Sequence, residues 1–168
     1  MVFAEKGVGA SLEEIARGAG VGIGTLYRHF PMRDALIEAV YRNETRQLAE
    51  AAAELAEMHP PVEALRAWMQ MCVDHIATKK LMAGALNSIV GDTSDLYAEA
   101  GAQIKAAMSM LVDRAMACGE IRLDLDPIDM LRAVAGVASI NSGPNWEDSA
   151  RRLVDILIAG IRVPAAGK

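Results

Sequence analysis

Aromatic residues make up only 4% of the 168 positions of this chain, and cysteine occurs twice. Cys72 and Cys118 stand far apart and form no CxxC pair, so neither a disulfide framework nor a zinc site is expected. No apolar run approaches the ~20 residues that a bilayer-spanning helix needs. The N-terminus MVFAEKGVGA also lacks the apolar segment of a signal peptide. We therefore expect a cytoplasmic protein with no membrane partner and no metal or cofactor.

The chain also lacks any sustained alternation of apolar and polar residues with a period of two, which is typical of β-strands. In contrast, the residues Ala, Leu, Met and Glu are abundant. This composition predicts an all-α fold. Breaker residues divide much of the chain into candidate helices near residues 32–58, 61–78, 80–90, 94–118, 127–141 and 145–162. Because the second half of the first of these is rich in Ala and Glu, we place a domain boundary within it, giving domains at 1–46 and 47–168.

Charge differs between these two parts. Residues 1–46 carry six acids and six bases, whereas residues 47–168 carry sixteen acids and eleven bases, which accounts for the net charge of −5. This net charge argues against a chain that coats nucleic acid non-specifically. The neutral N-terminal part could still approach a polyanion.

Residues 7–36 hold the most informative pattern. Ser11 stands three residues before Glu14, as in a capping box that begins a helix. Gly20 is placed to end this helix in the left-handed conformation. The segment from Ile23 to Phe30 then predicts a second short helix, with Leu26 facing inward. Two short helices joined by a tight turn indicate a helix-turn-helix, whose second helix can lie in a DNA major groove about 12 Å wide.

The segment SLEEIARGAGVGIGTLYRHFPMRDALIEAV resembles the DNA-binding segment of the tetracycline-repressor (TetR) family of transcriptional regulators. The resemblance implies a ligand-responsive regulator, most often a repressor, that binds a palindromic DNA operator as a homodimer and is released by a small molecule. It also implies a helical C-terminal domain for ligand binding and dimerisation. The positions that would contact DNA are Ser11, Ile23, Gly24, Thr25, Tyr27, Arg28, His29 and Arg33.

Side-chain chemistry supports these roles. Arg28 is the best base reader, since a guanidinium can bond guanine O6 and N7 together, while Thr25 or Ile23 could contact a thymine methyl group. Tyr27 and His29 suit phosphate oxygens as hydrogen-bond donors. An enzyme is not expected, because no convincing nucleophile and base occur together.

The chain departs from the family at its start. Residues 2–7 resemble only the last turn of the family's first helix, which usually follows basic residues. We expect that the native protein is longer, that the sequence as given omits this segment, or that this version is a truncation. The alternative function is a helical small-molecule or protein-binding module that has lost DNA binding.

Two further patterns could suggest chemistry. The alternating glycines at 18, 20, 22 and 24 do not match the GxGxxG or GK[ST] spacing of phosphate loops. Cys72 and His75 share a helix face near Asp74, but two ligands on one helix are weak evidence for a catalytic or metal site, and we expect them to pack in the core. The run Lys79-Lys80 is interpreted as a solvated helix end and Arg151-Arg152 as a solvated face.

Methionine is frequent in the second part, and its flexible side chain suits either a helical core or a malleable wall for an apolar or amphipathic ligand. The candidate wall consists of Trp68, Cys72, His75, Met82, Leu86, Asn87, Met108, Leu111 and Met130. The 32–58 helix would connect this wall to the DNA-binding segment through its far end at Pro60-Pro61.

The last two predicted helices are the dimerisation candidates. Their apolar residues keep helical spacing and, in 145–162, cover more than one face. A twofold partner would bury surface that a monomer leaves in water. The predicted interface residues are Ile128, Leu131, Ala135, Trp146, Leu153, Leu157 and Ile161.

Overall fold

A computed structural model of the chain describes residues 11–140, 143 and 145–164. Residues 1–10, where the end of a first helix was expected, and Asn141, the predicted end of another, lie outside that set. Within it the chain is helical without strands, which confirms the all-α prediction, and the helices are α1 (Leu12–Gly18), α2 (Ile23–His29), α3 (Arg33–Met58), α4 (Pro61–Asn87), α5 (Ser94–Ala117), α6 (Pro127–Ile140) and α7 (Trp146–Ile161).

The turn between α1 and α2 is set by local hydrogen bonds. At the start of α1, the Glu14 amide donates to Ser11 Oγ at 3.2 Å and the Ser11 amide donates to the Glu14 carboxylate at 3.1 Å, which is the predicted capping box. At its end, Gly20 has φ of +67°. The Val21 amide donates to the Ala16 carbonyl and the Gly20 amide to the Arg17 carbonyl, a Schellman motif.

The helices α3 and α4 form a long antiparallel hairpin. Pro60 ends α3 because it cannot continue a helix, and Pro61 begins α4 at a position where its missing N–H is tolerated. The prediction of two separate helices at 61–78 and 80–90 is wrong, because these residues form one uninterrupted helix that ends at Asn87. Lysine is a good helix former, so the Lys79-Lys80 run lies in the helix interior and marks no end.

The larger hydrophobic core lies between α3, α4, α5, α6 and α7. Trp68 is fully buried at its centre, and its indole N–H donates to the Leu48 carbonyl at 2.7 Å. A second cluster joins the first half of α3 to the end of α4 and the start of α5, through Ile37, Tyr41, Met82, Ala85, Leu86, Leu96 and Ala100.

A third, smaller cluster holds the helix-turn-helix onto α3. Its buried members are Ala16 of α1, Leu26 of α2 and Leu36 of α3. The helix α3 therefore contributes to all three clusters and runs without interruption through residue 46, where the sequence suggested a boundary. The division at that residue stays a prediction.

Candidate functional sites

The outer side of α2 is exposed almost completely. Leu26 is the one buried residue of this helix, and it anchors α2 against Ala16 and Leu36. Large apolar side chains face solvent here, with Ile23 37% and Tyr27 44% exposed. Six of the predicted DNA contacts share this exposed surface, namely Ile23, Gly24, Thr25, Tyr27, Arg28 and His29.

The other two predicted DNA contacts flank α2. Arg33 is the first residue of α3 and is half-buried. Ser11 is the N-cap of α1, where its hydroxyl already accepts the Glu14 amide hydrogen. All eight predicted contacts therefore belong to the helix-turn-helix or to the start of the helix that follows it.

The packing around Gly24 does not require a glycine at this position. A Cβ atom placed there would have no heavy atom within 4 Å, and the backbone of Gly24 has no positive φ. Glycine inside a helix costs roughly 1 kcal/mol relative to alanine. The bare backbone at Gly24 thus lowers helix stability and leaves room for another molecule to come close.

A cleft of about 510 Å³ opens on the side of the bundle, between α3, α4, α5 and α6. Its volume is within the range of roughly 300–1,000 Å³ that is usual for small-molecule sites. The lining residues are Tyr41, Thr45, His75, Ile76, Lys79, Tyr97, Ala100, Gly101, Ile104, Lys105, Ile128 and Arg132.

Aromatic rings and a cation form one end of this cleft. The rings of Tyr41 and Tyr97 meet edge to face with centroids 5.7 Å apart, and His75 lies 6.3 Å from Tyr41. Lys79 Nζ stands 5.6 Å from the centroid of the Tyr41 ring and 5.0 Å from that of Tyr97. Cation–π attraction therefore holds the ammonium group between two phenol rings.

Burial sets the protonation of the neutral groups here. Desolvation, and after it the charge of Lys79, lower the pKa of His75 below its ordinary value. Burial also raises the pKa of the Tyr41 phenol. At neutral pH both side chains are uncharged, and the cations supply the charge of the cleft.

The predicted ligand wall agrees with this cleft at His75 alone. The other positions do not line this cleft, since Asn87 is exposed at the end of α4 and the remaining seven side chains are packed inside the clusters. Helical spacing identifies an inward face, but it does not show where inward faces leave a gap. The seven buried side chains are Trp68, Cys72, Met82, Leu86, Met108, Leu111 and Met130.

Most of the cleft was missed by sequence reasoning, although one signal was present. The chain has three tyrosines, of which two line the cleft and the third, Tyr27, lies on α2. In a sequence with so few aromatic residues, each tyrosine is a candidate site residue. The cations Lys79, Lys105 and Arg132 gave no comparable signal, because charged residues also cover ordinary solvated faces.

Cys72, Asp74 and His75 do not form a catalytic or metal set. Burial raises the pKa of the Cys72 thiol, which therefore stays protonated. The Asp74 carboxylate pairs with Arg151 of α7, so Arg151 is not simply a solvated residue. Across the described ranges, no three His, Cys, Asp or Glu side chains are grouped to hold a metal ion.

The predicted dimer residues divide into two groups. Leu131 and Trp146 are buried in the core of the protomer, so they can support an interface only from behind. Lys80 covers the Trp146 ring at 4.7 Å and donates to the Ala138 carbonyl at 2.6 Å. The half-buried group consists of Ile128, Ala135, Leu153, Leu157 and Ile161, of which Ile128 lines the cleft.

Two isoleucines that were not among those residues are far more exposed. Ile156 of α7 is 66% exposed and Ile140, at the end of α6, is 90% exposed. The sequence showed that apolar residues surround α7, but not which of them the protomer leaves uncovered.

Comparison with known proteins assigns both parts of the chain. A family model described as "Bacterial regulatory proteins, tetR family" matches residues 1–40. A second, "Transcriptional regulator SbtR-like, C-terminal domain", matches residues 60–163 and so covers more than half of the chain. The chain belongs to the TetR family of transcriptional regulators.

Solved structures agree with this assignment. The TetR transcriptional regulator SCO0520 from Streptomyces coelicolor is similar over 98% of this chain and 94% of its own, with 45% identity and a TM-score of 0.84. The TetR regulator from Mycobacterium vanbaalenii is 32% identical over 96% of this chain and 89% of its own, with a TM-score of 0.75.

A more distant regulator shares the fold. That protein, from Cytophaga hutchinsonii, is 15% identical over 96% of this chain and 93% of its own, with a TM-score of 0.75.

None of the helices in the described ranges combines the length and apolar character needed to cross a bilayer.

Proposed function

We propose that this TetR-family protein is a repressor that binds a palindromic DNA operator as a homodimer and is released by a small molecule. The observation that carries the proposal is the exposed outer side of α2, a helix in which Leu26 is the one buried residue. As a regulator of transcription it would act in the cytoplasm and have no catalytic activity.

The residues of α2 match the chemistry of a major groove. Arg28 would read guanine, and Thr25 or Ile23 would contact a thymine methyl group. Gly24 lets the backbone approach the bases, because a Cβ there would stand in open space. Tyr27, His29, Ser11 and Arg33 would bind phosphate oxygens around this contact.

The apolar surface of α6 and α7 supports the homodimer. Ile140 and Ile156 expose large apolar side chains on a chain with a net charge of −5. Two copies related by a twofold axis would bury these side chains together with the half-buried Leu153 and Leu157. The same axis would place two α2 helices about one DNA turn, ~34–36 Å, apart.

The cleft can couple to DNA binding through α3. Tyr41 and Thr45 lie in the first half of this helix, a few turns from the start of α3 beside α2. The same half of α3 is tied to its neighbours, since Asp34 accepts the Val90 amide hydrogen at 3.1 Å and Arg42 pairs with Glu99 of α5. A shift of these contacts would move the start of α3 and, through the packing of Leu36 on Leu26, α2.

This route is shorter than the one suggested by sequence. Near the far end of α3, Leu55 and Ala56 pack against the larger core, Met58 is exposed, and no residue from this end lines the cleft. A ligand weakens DNA binding only if it prefers the conformation in which the two α2 helices are wrongly spaced. The contact between ligand and Tyr41 would supply that preference.

The DNA proposal is tested by selecting bound sequences from a pool of random duplexes, followed by affinity measurements on the selected site. We expect Arg28→Ala to relax the base preference at one position per half-site, at a cost of ~1–3 kcal/mol. Tyr27→Phe and Arg33→Ala should weaken binding to all sequences, and Arg33→Ala should also lower the salt dependence.

The matched control is Arg152→Ala, which removes the same charge from an exposed position of α7. It should leave the selected sequence and the salt dependence unchanged. If the wild-type protein selects no sequence, although it binds small molecules, the alternative of a binding module without DNA activity replaces this proposal.

The dimer is tested by sedimentation of Ile156→Lys. A charge at this exposed position should give a folded monomer, whereas charge at Leu157 would also disturb the protomer core against which Leu157 packs. A monomeric wild-type protein at micromolar concentration would rule the dimer out.

A further inference from the structure

The cleft is basic within an acidic region of the chain. Three of its twelve lining residues are cations, Lys79, Lys105 and Arg132, and none is an acid. By contrast, residues 47–168 carry sixteen acids and eleven bases. A positive charge in this lining that has no acidic partner would repel a cation and attract an anion.

The three cations differ in their partners. Lys105 Nζ lies 3.0 Å from the Asp126 carboxylate, and Arg132 Nη1 lies 2.6 Å from that of Asp129. Lys79 forms no ion pair with any described residue, and only the two tyrosine faces hold its ammonium group. One positive charge in the cleft is thus left without a carboxylate.

The rest of the lining suits an apolar molecular body. Ile76, Ala100, Ile104 and Ile128 supply aliphatic surface, and His75 is held neutral by burial. Gly101 also faces the cleft, and a Cβ built on it meets no heavy atom within 4 Å. The space beside Gly101 is therefore open to a ligand.

We propose that the cleft binds a singly charged organic anion with an apolar body, such as a carboxylate, and that Lys79 pairs with its charge. One unpaired cation at the aromatic end matches one negative charge, and the aliphatic wall matches the body. The inference rests on the proposed ligand response and adds the chemical class of the ligand. It also places the charged group against Tyr41, one of the two cleft residues on α3.

A pair of fluorescent probes separates charge from apolar contact. The anion 1-anilinonaphthalene-8-sulfonate and the neutral N-phenyl-1-naphthylamine share the same aromatic body and differ by one sulfonate group. We expect the wild-type protein to bind the anion more tightly than the neutral probe. Lys79→Gln should weaken binding of the anion about tenfold, as expected for loss of one charge-assisted hydrogen bond, and leave binding of the neutral probe unchanged.

Two further variants complete the test. Gly101→Leu adds a side chain that fills the cleft and should weaken binding of both probes, while circular dichroism confirms the helical fold. Arg152→Gln removes the same charge as Lys79→Gln from an exposed site on α7 and should change neither affinity.

The outcomes distinguish this inference from the proposed function. Equal effects of Lys79→Gln on the two probes, or equal affinity of the wild-type protein for both, would overturn the anion inference and leave the cleft as a ligand site. Unchanged binding of both probes in Gly101→Leu, or no binding by the wild-type protein, would overturn the cleft itself.

Discussion

The helix-turn-helix and the helical bundle behind it are built in opposite ways. Among the described residues, α1 and α2 bury Ala16 and Leu26 against Leu36, whereas the larger core of the bundle buries twenty-three residues. The two short helices have seven residues each, and helices of that length do not form in isolation. The surface proposed to read DNA therefore belongs to the region with the fewest buried residues. This region is stabilised by its packing against α3, which also belongs to the bundle.

This difference has a functional side. A helix that enters a DNA groove must expose most of its surface, so only one face remains for packing. The bundle can bury several faces of each helix, and its candidate ligand site is a gap that the packing leaves open. Three substitutions test whether the two regions respond differently, and a fourth prediction tests the packing of the bundle itself.

The largest effect is expected in the bundle. Trp68→Ala removes a fully buried indole and leaves the Leu48 carbonyl without its donor. It should lower the free energy of unfolding by ~3–5 kcal/mol. Urea denaturation followed by circular dichroism measures this loss. In Trp68→Phe the aromatic ring remains, so a smaller loss is expected. Equal losses in the two variants would show that the indole N–H, not the volume, dominates.

Leu26→Ala should act on the small region alone. Truncating Leu26, the one buried side chain of α2, should lower the free energy of unfolding of this region by ~2–3 kcal/mol. The loss should stay local, because α2 contributes no residue to the larger core. Hydrogen exchange should show faster exchange of α1 and α2 amides, with the amides of α4 and α5 unchanged. A loss of protection in α4 as well would mean that the two regions unfold as one unit.

Gly24→Ala should separate stability from function. Alanine is the better helix former and meets no heavy atom at this position, so stability should rise by up to ~1 kcal/mol. DNA affinity should fall about tenfold, since the added methyl group stands where the base edges would lie, and one base contact is worth ~1–3 kcal/mol.

Gly101→Ala is the control for these opposite effects on stability and DNA affinity. It also places alanine in a helix interior with no neighbour within 4 Å, but on α5, away from α2. Its stability should rise similarly with no change in DNA affinity. Unaltered DNA binding in Gly24→Ala would refute the close approach proposed at Gly24.

The smallest effect concerns the two thiols. Cys118 is exposed at the end of α5, while Cys72 is buried with a raised pKa. A thiol reagent should modify Cys118 rapidly and Cys72 only when the bundle opens. Mass spectrometry after timed labelling distinguishes the two sites. Rapid labelling of both in the native protein would contradict the packing described for α4.

Several features of the fold followed from sequence because they depend on neighbouring residues. The capping box of Ser11 and Glu14, the left-handed Gly20 and the helix stop at Pro60 each involve residues within a few positions of one another. The predicted boundaries of α3, α5 and α7 differ from those observed by about one residue for the same reason. The helix-turn-helix is a compact unit of such signals, so the order of its residues was enough to predict it.

The candidate ligand cleft and the face of the proposed dimer were decided by tertiary structure. Helical spacing placed Trp68, Met108 and Leu131 on inward faces, but the rotation and crossing of the helices determine which inward positions are filled and which stay open. The lining combines residues from Tyr41 to Arg132, brought together by long-range packing. Sequence thus determined the local geometry of each helix, whereas the gap between four helices arose only when the bundle assembled.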